Sequence, residues 1–121
     1  MTRMHEMAIA QNILEIVREE MTARHCRQLE RIGLECGALS GVEPESLRLG
    51  LEALLGESPW PQARLDLRII PLKLRCFACG CRFGGQPGQD ALWQPCPQCG
   101  EQFGHTVEEG RELRISHLEA S

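Results

Sequence analysis

The chain has no tyrosine, and only two tryptophans and three phenylalanines in 121 residues. Five large rings are little core material, and a small domain is marginal on apolar burial alone. A basic surplus is missing too: the net charge is −4 and the pI about 5.6. Nucleic-acid binders draw most of their affinity from neutralising phosphates, so that class starts at a disadvantage. No run approaches the roughly 18 apolar residues that cross a bilayer. The N-terminal Met-Thr-Arg-Met-His-Glu-Met meets Gln11 and Asn12 before a signal-like apolar core can build. A cytoplasmic protein without membrane or nucleic-acid partners is therefore expected. Enzyme signatures are lacking as well. There is no nucleophile with a base at motif spacing, no Gly-rich phosphate loop and no carboxylate pair in an evident cleft. Internal repeats and low-complexity tracts are also missing.

What the chain does have is seven cysteines. Cys76-Phe-Ala-Cys79-Gly and Cys96-Pro-Gln-Cys99-Gly are two C-x-x-C-G knuckles. Tetrahedral zinc takes four thiolates, and a two-residue spacer turns both sulfurs of a pair toward one ion. Gly80 and Gly100 follow the second cysteine of each pair, where glycine tolerates positive φ. Two disulfides, or iron in the same four sulfurs, are the competing readings. A reducing compartment disfavours the first; spacing does not separate the second, although zinc is the commoner occupant. Such a zinc has no open position, so it is structural. Cys81 is surplus to the four, Cys36 reads as core, and Cys26 beside His25 reads as a helix end.

The remaining pattern is helical and strand-like in turn. Residues 6–24 carry Ile9, Ile13, Ile16 and Val17 as a helical stripe, with Gln11, Glu15, Arg18 and Glu19 opposite. Residues 29–38 alternate as a strand through Ile32, Leu34 and Cys36. A second helix is predicted from Pro44, with Leu47, Leu51, Leu54 and Leu55 on one face and Gly56 as its stop. Residues 63–75 alternate again, with Leu65, Leu67 and Ile69 inward and Pro71 as an interruption. Cys76 to His105 shows no amphipathic period. The stretch 112–116 reads as a last strand returning to the first domain. The expected fold is α+β: two helices on a small three-stranded sheet, with an inserted zinc-ribbon module. The expected domains are 1–74 plus 106–121, and 75–105.

Met4-His5-Glu6 opening an amphipathic helix, Gly37-Ala-Leu-Ser40-Gly-Val-Glu43-Pro-Glu-Ser-Leu47 after the first strand, and the paired knuckles together make a specific combination. It resembles the HypA/HybF family, nickel metallochaperones of [NiFe]-hydrogenase maturation. The resemblance implies an α/β nickel-binding domain and a zinc domain. Nickel would be held by the His5 imidazole and the main-chain nitrogens of His5 and Glu6, with the Glu6 side chain nearby. Glu43 would be a weaker, assisting carboxylate. Zinc would be held by Cys76, Cys79, Cys96 and Cys99. The implied partners are a HypB-like maturation GTPase and the hydrogenase large subunit; self-association stays open. Met1-Thr2-Arg3 precede the family's Met-His-Glu, so a chain beginning at Met1 is expected to bind nickel more weakly or in another geometry.

The alternative is a zinc-ribbon adaptor for nucleic acid or a protein machine. Between Leu72 and His105 it has Lys73, Arg75 and Arg82 against Asp90 and Glu101. That surplus is slight for a phosphate-binding surface.

Overall fold

A computed structural model of the chain describes residues 2–85 and 91–121. Met1 and Asp90, both used in the sequence argument, lie outside them. Helix α1 spans Thr2–Ala23, strand β1 Leu29–Gly37, helix α2 Pro44–Gly56 and strand β2 Arg64–Ile70. Strands β3 Lys73–Arg75 and β4 Arg82–Gly84 follow, then a single 3-10 turn at Ala91–Trp93. Strands β5 Thr106–Glu109 and β6 Leu113–Ala120 complete the order.

The α1 stripe is real, but its phase differs from the expectation. Ala10, Ile13, Leu14, Val17 and Met21 are buried, while Ile16 is 52% exposed. At 3.6 residues per turn Ile16 stands about 100° from Val17, which puts it on the flank. The same stripe continues backward to Glu6. The helix ends on a left-handed residue, His25 at φ 58°. The Cys26 N–H donates to the Met21 carbonyl at 2.8 Å, and the His25 N–H to that of Thr22 at 3.2 Å. This is the paired closure of a Schellman motif, with histidine where glycine is usual.

Glu43 caps α2. Its backbone is extended, its Oε2 accepts the Ser46 N–H at 2.6 Å, and Pro44 fills the first turn. Leu47, Leu51 and Leu55 are buried as expected, together with Gly50. Met7 and Ala10 of α1 face Gly50, so the small residue marks where the helices meet. The helices accompany a three-stranded sheet of order β2-β1-β6, and β6 does return to β1.

Residues 63–75 do not form one interrupted strand. Ile69 is 47% exposed and Ile70 is buried, so the phase breaks before Pro71. Beyond the proline the chain enters another sheet, of order β4-β3-β5. There Leu74 lies opposite Phe83 on one side and Val107 on the other.

By internal contacts the chain divides into two units. The first is Met1–Glu35, Val42–Arg68 and Arg114–Ser121; the second is Cys36–Gly41 and Ile69–Leu113. The second is wider than the span 75–105 read from composition. Leu72 and Leu74 form its core, and Leu39, Phe83 and Val107 pack against them. Leu39 is bound there by its own backbone as well, its N–H donating to the Gly110 carbonyl at 2.6 Å.

Candidate metal centres

Strand β3 leads directly into Cys76. The two knuckles then repeat one backbone design. The Cys76 N–H donates to the Cys81 carbonyl at 2.8 Å, and the Gly80 N–H to the Cys76 carbonyl at 2.8 Å. In the second knuckle the Cys96 N–H donates to Glu101 at 2.9 Å, and the Gly100 N–H to Cys96 at 2.9 Å. Gly80 and Gly100 have φ of 77° and 82°, the left-handed region that the turn demands and that glycine enters without cost.

The knuckles face each other. Cys76 Sγ is 3.5 Å from Cys99 Sγ, and Cys79 Sγ is 3.5 Å from Cys96 Sγ. All four sulfurs lie within 4.8 Å of one another. A tetrahedron with zinc–sulfur bonds of about 2.3 Å has edges of about 3.8 Å, so the donor set fits zinc.

The electrostatics of Cys96 and Cys99 agree. Burial pushes the Cys96 thiol up, but the N–H groups of Cys99 and Gln98 donate to its sulfur and bring it down to about 6. The Glu101 N–H acts to lower Cys99, yet Cys76, burial, Cys79 and Cys96 together drive it up to about 12. Sulfurs this close cannot all be thiolates unless a cation lies among them. A bound zinc supplies that charge and ties the knuckles together, with no open coordination position.

The N-terminal motif is of another kind. His5 is exposed, whereas Glu6 is only 1% exposed. Its Oε2 accepts the Glu43 N–H at 3.4 Å, and its Oε1 is buried with no hydrogen-bond partner among the described residues. The fold thus brings together two residues 37 positions apart, both singled out from sequence. The Glu43 side chain itself is exposed and turned to its capping role. The Ser46 N–H holds its carboxyl below the usual carboxylate range. Among the described residues, the four cysteines are the one group of three or more His, Cys, Asp or Glu side chains that converges as for a metal. Helical geometry directs the Glu6 amide to the Thr2 carbonyl, four residues back.

Residues 4–120 match a family model described as hydrogenase/urease nickel incorporation, metallochaperone, hypA. The chain belongs to the HypA family. The match begins at Met4, ahead of His5 and Glu6. Hydrogenase maturation factor HypA of Solidesulfovibrio magneticus is 39% identical over 116 residues, covering 96% of this chain and 98% of that protein. HypA of Azotobacter chroococcum is 36% identical with the same coverage. The HypA fold is shared as well. A solution structure of HypA aligns with a TM-score of 0.68 at 21% identity, over 98% of this chain and 97% of that one. The nickel metallochaperone HypA of Helicobacter pylori aligns at 0.61 and 20% identity, over 95% and 96%.

In this HypA-family chain the other singled-out side chains have structural partners. Cys36 is buried and lies 3.3 Å from the Ser40 hydroxyl. His105 contacts the Gln94 carbonyl through Nε2 at 2.8 Å and meets the Phe83 ring edge-on, with centroids 5.1 Å apart. Cys81 stays outside the four-sulfur group; burial and its neighbour Cys96 push its thiol up. Arg82, counted toward a phosphate surface, is paired with Glu108 at 3.1 Å. No helix among the described residues is long and apolar enough to cross a membrane. Sequence reasoning missed the burial of Glu6. The signal was there: Glu6 precedes Ala10 by four residues on the buried stripe.

Proposed function

We propose that this protein is a nickel carrier that hands Ni(II) to a [NiFe]-hydrogenase during maturation and performs no catalysis itself. The observation that carries the reading is Glu6. A carboxyl is kept on an otherwise apolar helix stripe, with one oxygen unpartnered. Burying such a group costs stability, and a fold retains it where it serves a purpose. It lies beside the exposed His5 and touches residue 43, so the motif and the assisting carboxylate share one locality.

Nickel is held by the His5 imidazole and the main-chain nitrogens of His5 and Glu6, with Glu43 in a weaker, assisting role. Imidazole and deprotonated amides suit Ni(II) in planar geometry. Those donors bind protons in competition with the metal, so nickel is released as pH falls. Because the Glu6 amide belongs to the helix, loading opens the first turn of α1. Functionally, 1–74 plus 106–121 handles nickel and 75–105 holds zinc through Cys76, Cys79, Cys96 and Cys99. The protein works in the cytoplasm with a HypB-like GTPase and the hydrogenase large subunit.

Metal analysis of protein purified without chelators, before and after added nickel, tests this. One tight zinc and one exchangeable nickel per chain are expected. His5→Ala should lose the nickel and keep the zinc and the helical signal; unchanged nickel binding would overturn the assignment. A chain starting at Met4 should bind nickel more tightly than one starting at Met1, or with a different spectrum.

A further inference from the structure

The C-terminal halves of the two helices enclose a groove of about 780 Å³. Half-buried Leu54 contributes apolar surface, buried Leu14 lies at its floor, and Glu15, Glu19 and Glu57 are the acids along it. None of the three carboxylates has a cation partner among the described residues. Arg18, the one cation lining the groove, is paired with none of them. Arg24, just past the end of α1, is taken by Glu20 at 2.6 Å.

Several electrostatic terms add with one sign here. Glu15 and Glu19 stand one turn apart on α1, a repulsive spacing for like charges. Glu57 caps the C-terminus of α2, where the helix dipole is already negative, and no basic residue lies in that last turn. Glu6 near the start of α1 meets Glu43 at the start of α2, Met7 and Ala10 meet Gly50 at its middle, and Thr22 and Glu57 line the groove near the other ends. The helices therefore run in the same direction, with their negative ends toward this groove. Among the lining residues Arg18 alone carries opposite charge, against three carboxylates. A local cost of this kind is relieved by a positively charged partner.

We infer that this groove docks a cationic amphipathic helix of a partner protein, its apolar side chains over Leu54 and the floor at Leu14 and its Lys or Arg residues against Glu15, Glu19 and Glu57. From Gln11 to Thr22 the lining residues of α1 extend about 16 Å, the length of three helical turns. Helix-in-groove recognition reads such a surface through apolar anchors one turn apart, flanked by complementary charge.

The probe is a 14-residue Leu/Lys model helix, with its Leu/Glu counterpart as control, titrated into the zinc-loaded full chain at physiological salt. Amide shift changes should concentrate at Glu15, Glu19, Thr22, Leu54 and Glu57, and the Leu/Glu peptide should cause none. The variant Glu15→Gln/Glu19→Gln/Glu57→Gln should weaken binding about tenfold or more and should melt no lower than the parent, since it removes repulsion. Glu30→Gln/Glu52→Gln/Glu109→Gln changes net charge equally outside the groove and should leave affinity within about twofold. Equal weakening by both variants, shifts centred elsewhere, or no binding would each overturn the inference.

Discussion

Replacing Glu6 by leucine should stabilise the protein. Glu6 is 1% exposed on the stripe that holds Ala10, Ile13 and Val17. One carboxyl oxygen receives a long hydrogen bond of 3.4 Å from the Glu43 N–H; the other receives none. An unsatisfied buried polar atom costs about 1–3 kcal/mol. A buried leucine gains about 1.5–3 kcal/mol relative to exposure, part of which the methylenes of Glu6 already supply. Against this stands the lost bond to the Glu43 N–H, worth about 1 kcal/mol. The net expectation is a gain of about 1–3 kcal/mol for Glu6→Leu. Glu6→Gln, which keeps the shape and an acceptor, should stay within about 1 kcal/mol of the parent.

Urea unfolding of the zinc-loaded protein, followed by the helical signal, measures this. Both helices belong to the first unit, so the signal reports the unit that contains Glu6. Nickel binding should weaken in Glu6→Leu while stability rises, the opposed pattern of a residue kept for function. A loss of more than about 1 kcal/mol on Glu6→Leu would refute the reasoning, because it would mean the carboxyl is well partnered.

Three further outcomes are expected. Chelating zinc should abolish hydrogen-exchange protection across Ile69–Leu113 and Cys36–Gly41 while leaving most of the helical signal. Among the described residues the buried aliphatic core of the second unit is Ile70, Leu72 and Leu74, worth about 5–9 kcal/mol, against roughly 10–16 for a structural zinc; retained protection at Leu74 would contradict this. His25→Gly should raise the unfolding free energy by about 0.5–1 kcal/mol, and the urea midpoint with it, because His25 stands at φ 58° where a side chain is strained. An unchanged or lower midpoint would show that its imidazole makes a compensating contact. Stability should also fall as pH drops below about 4. Arg31, 2.7 Å away, holds the Asp66 carboxyl down, and the Ser46 N–H does so for Glu43. Both contributions are present above the unfolded carboxylate range and are lost as pH falls through the folded values. Asp66→Asn/Glu43→Gln should flatten that acid limb, and an unaltered limb would assign it to other groups.

The parts legible in the sequence were those with a period or a fixed spacing. Leu47, Leu51 and Leu55 announce α2 because three leucines at helical intervals have one way to be buried together. The knuckles announce four converging sulfurs because two residues between cysteines leave little freedom. What failed was phase and partner. Ile16 looks like stripe and is flank, since a β-branched apolar residue can border a core without entering it. Ile69 and Ile70 are indistinguishable by composition, yet one is exposed and the other buried, because the chain changes sheets at Pro71. Strands β4 and β5 have three and four residues, too short to show alternation, and exist because β3 lies between them. Glu6 was read as part of a motif, so its place in the helical period went unused.

A structural metal and a carried metal ask opposite things of a chain. Zinc is held where four soft donors converge and two knuckle turns fix the backbone around them. Nothing there invites exchange. A metal in transit needs the reverse: few donors, and protons able to compete for them. Seven cysteines would be a hazard to such a carrier if thiols were free to capture nickel, for thiolates bind it strongly. Four are committed to one another, and Cys36 is fully buried against Ser40. Cys26 and Cys81 are partly covered, and neither joins the four converging sulfurs. The scarcity of aromatic rings follows from the same division. The second unit is closed by sulfur and zinc around two leucines, and the first is filled by Leu, Ile and Val along two helices and a strand. Neither requires a large ring at its centre, and Phe77, Trp93 and Phe103 are accordingly more than half exposed.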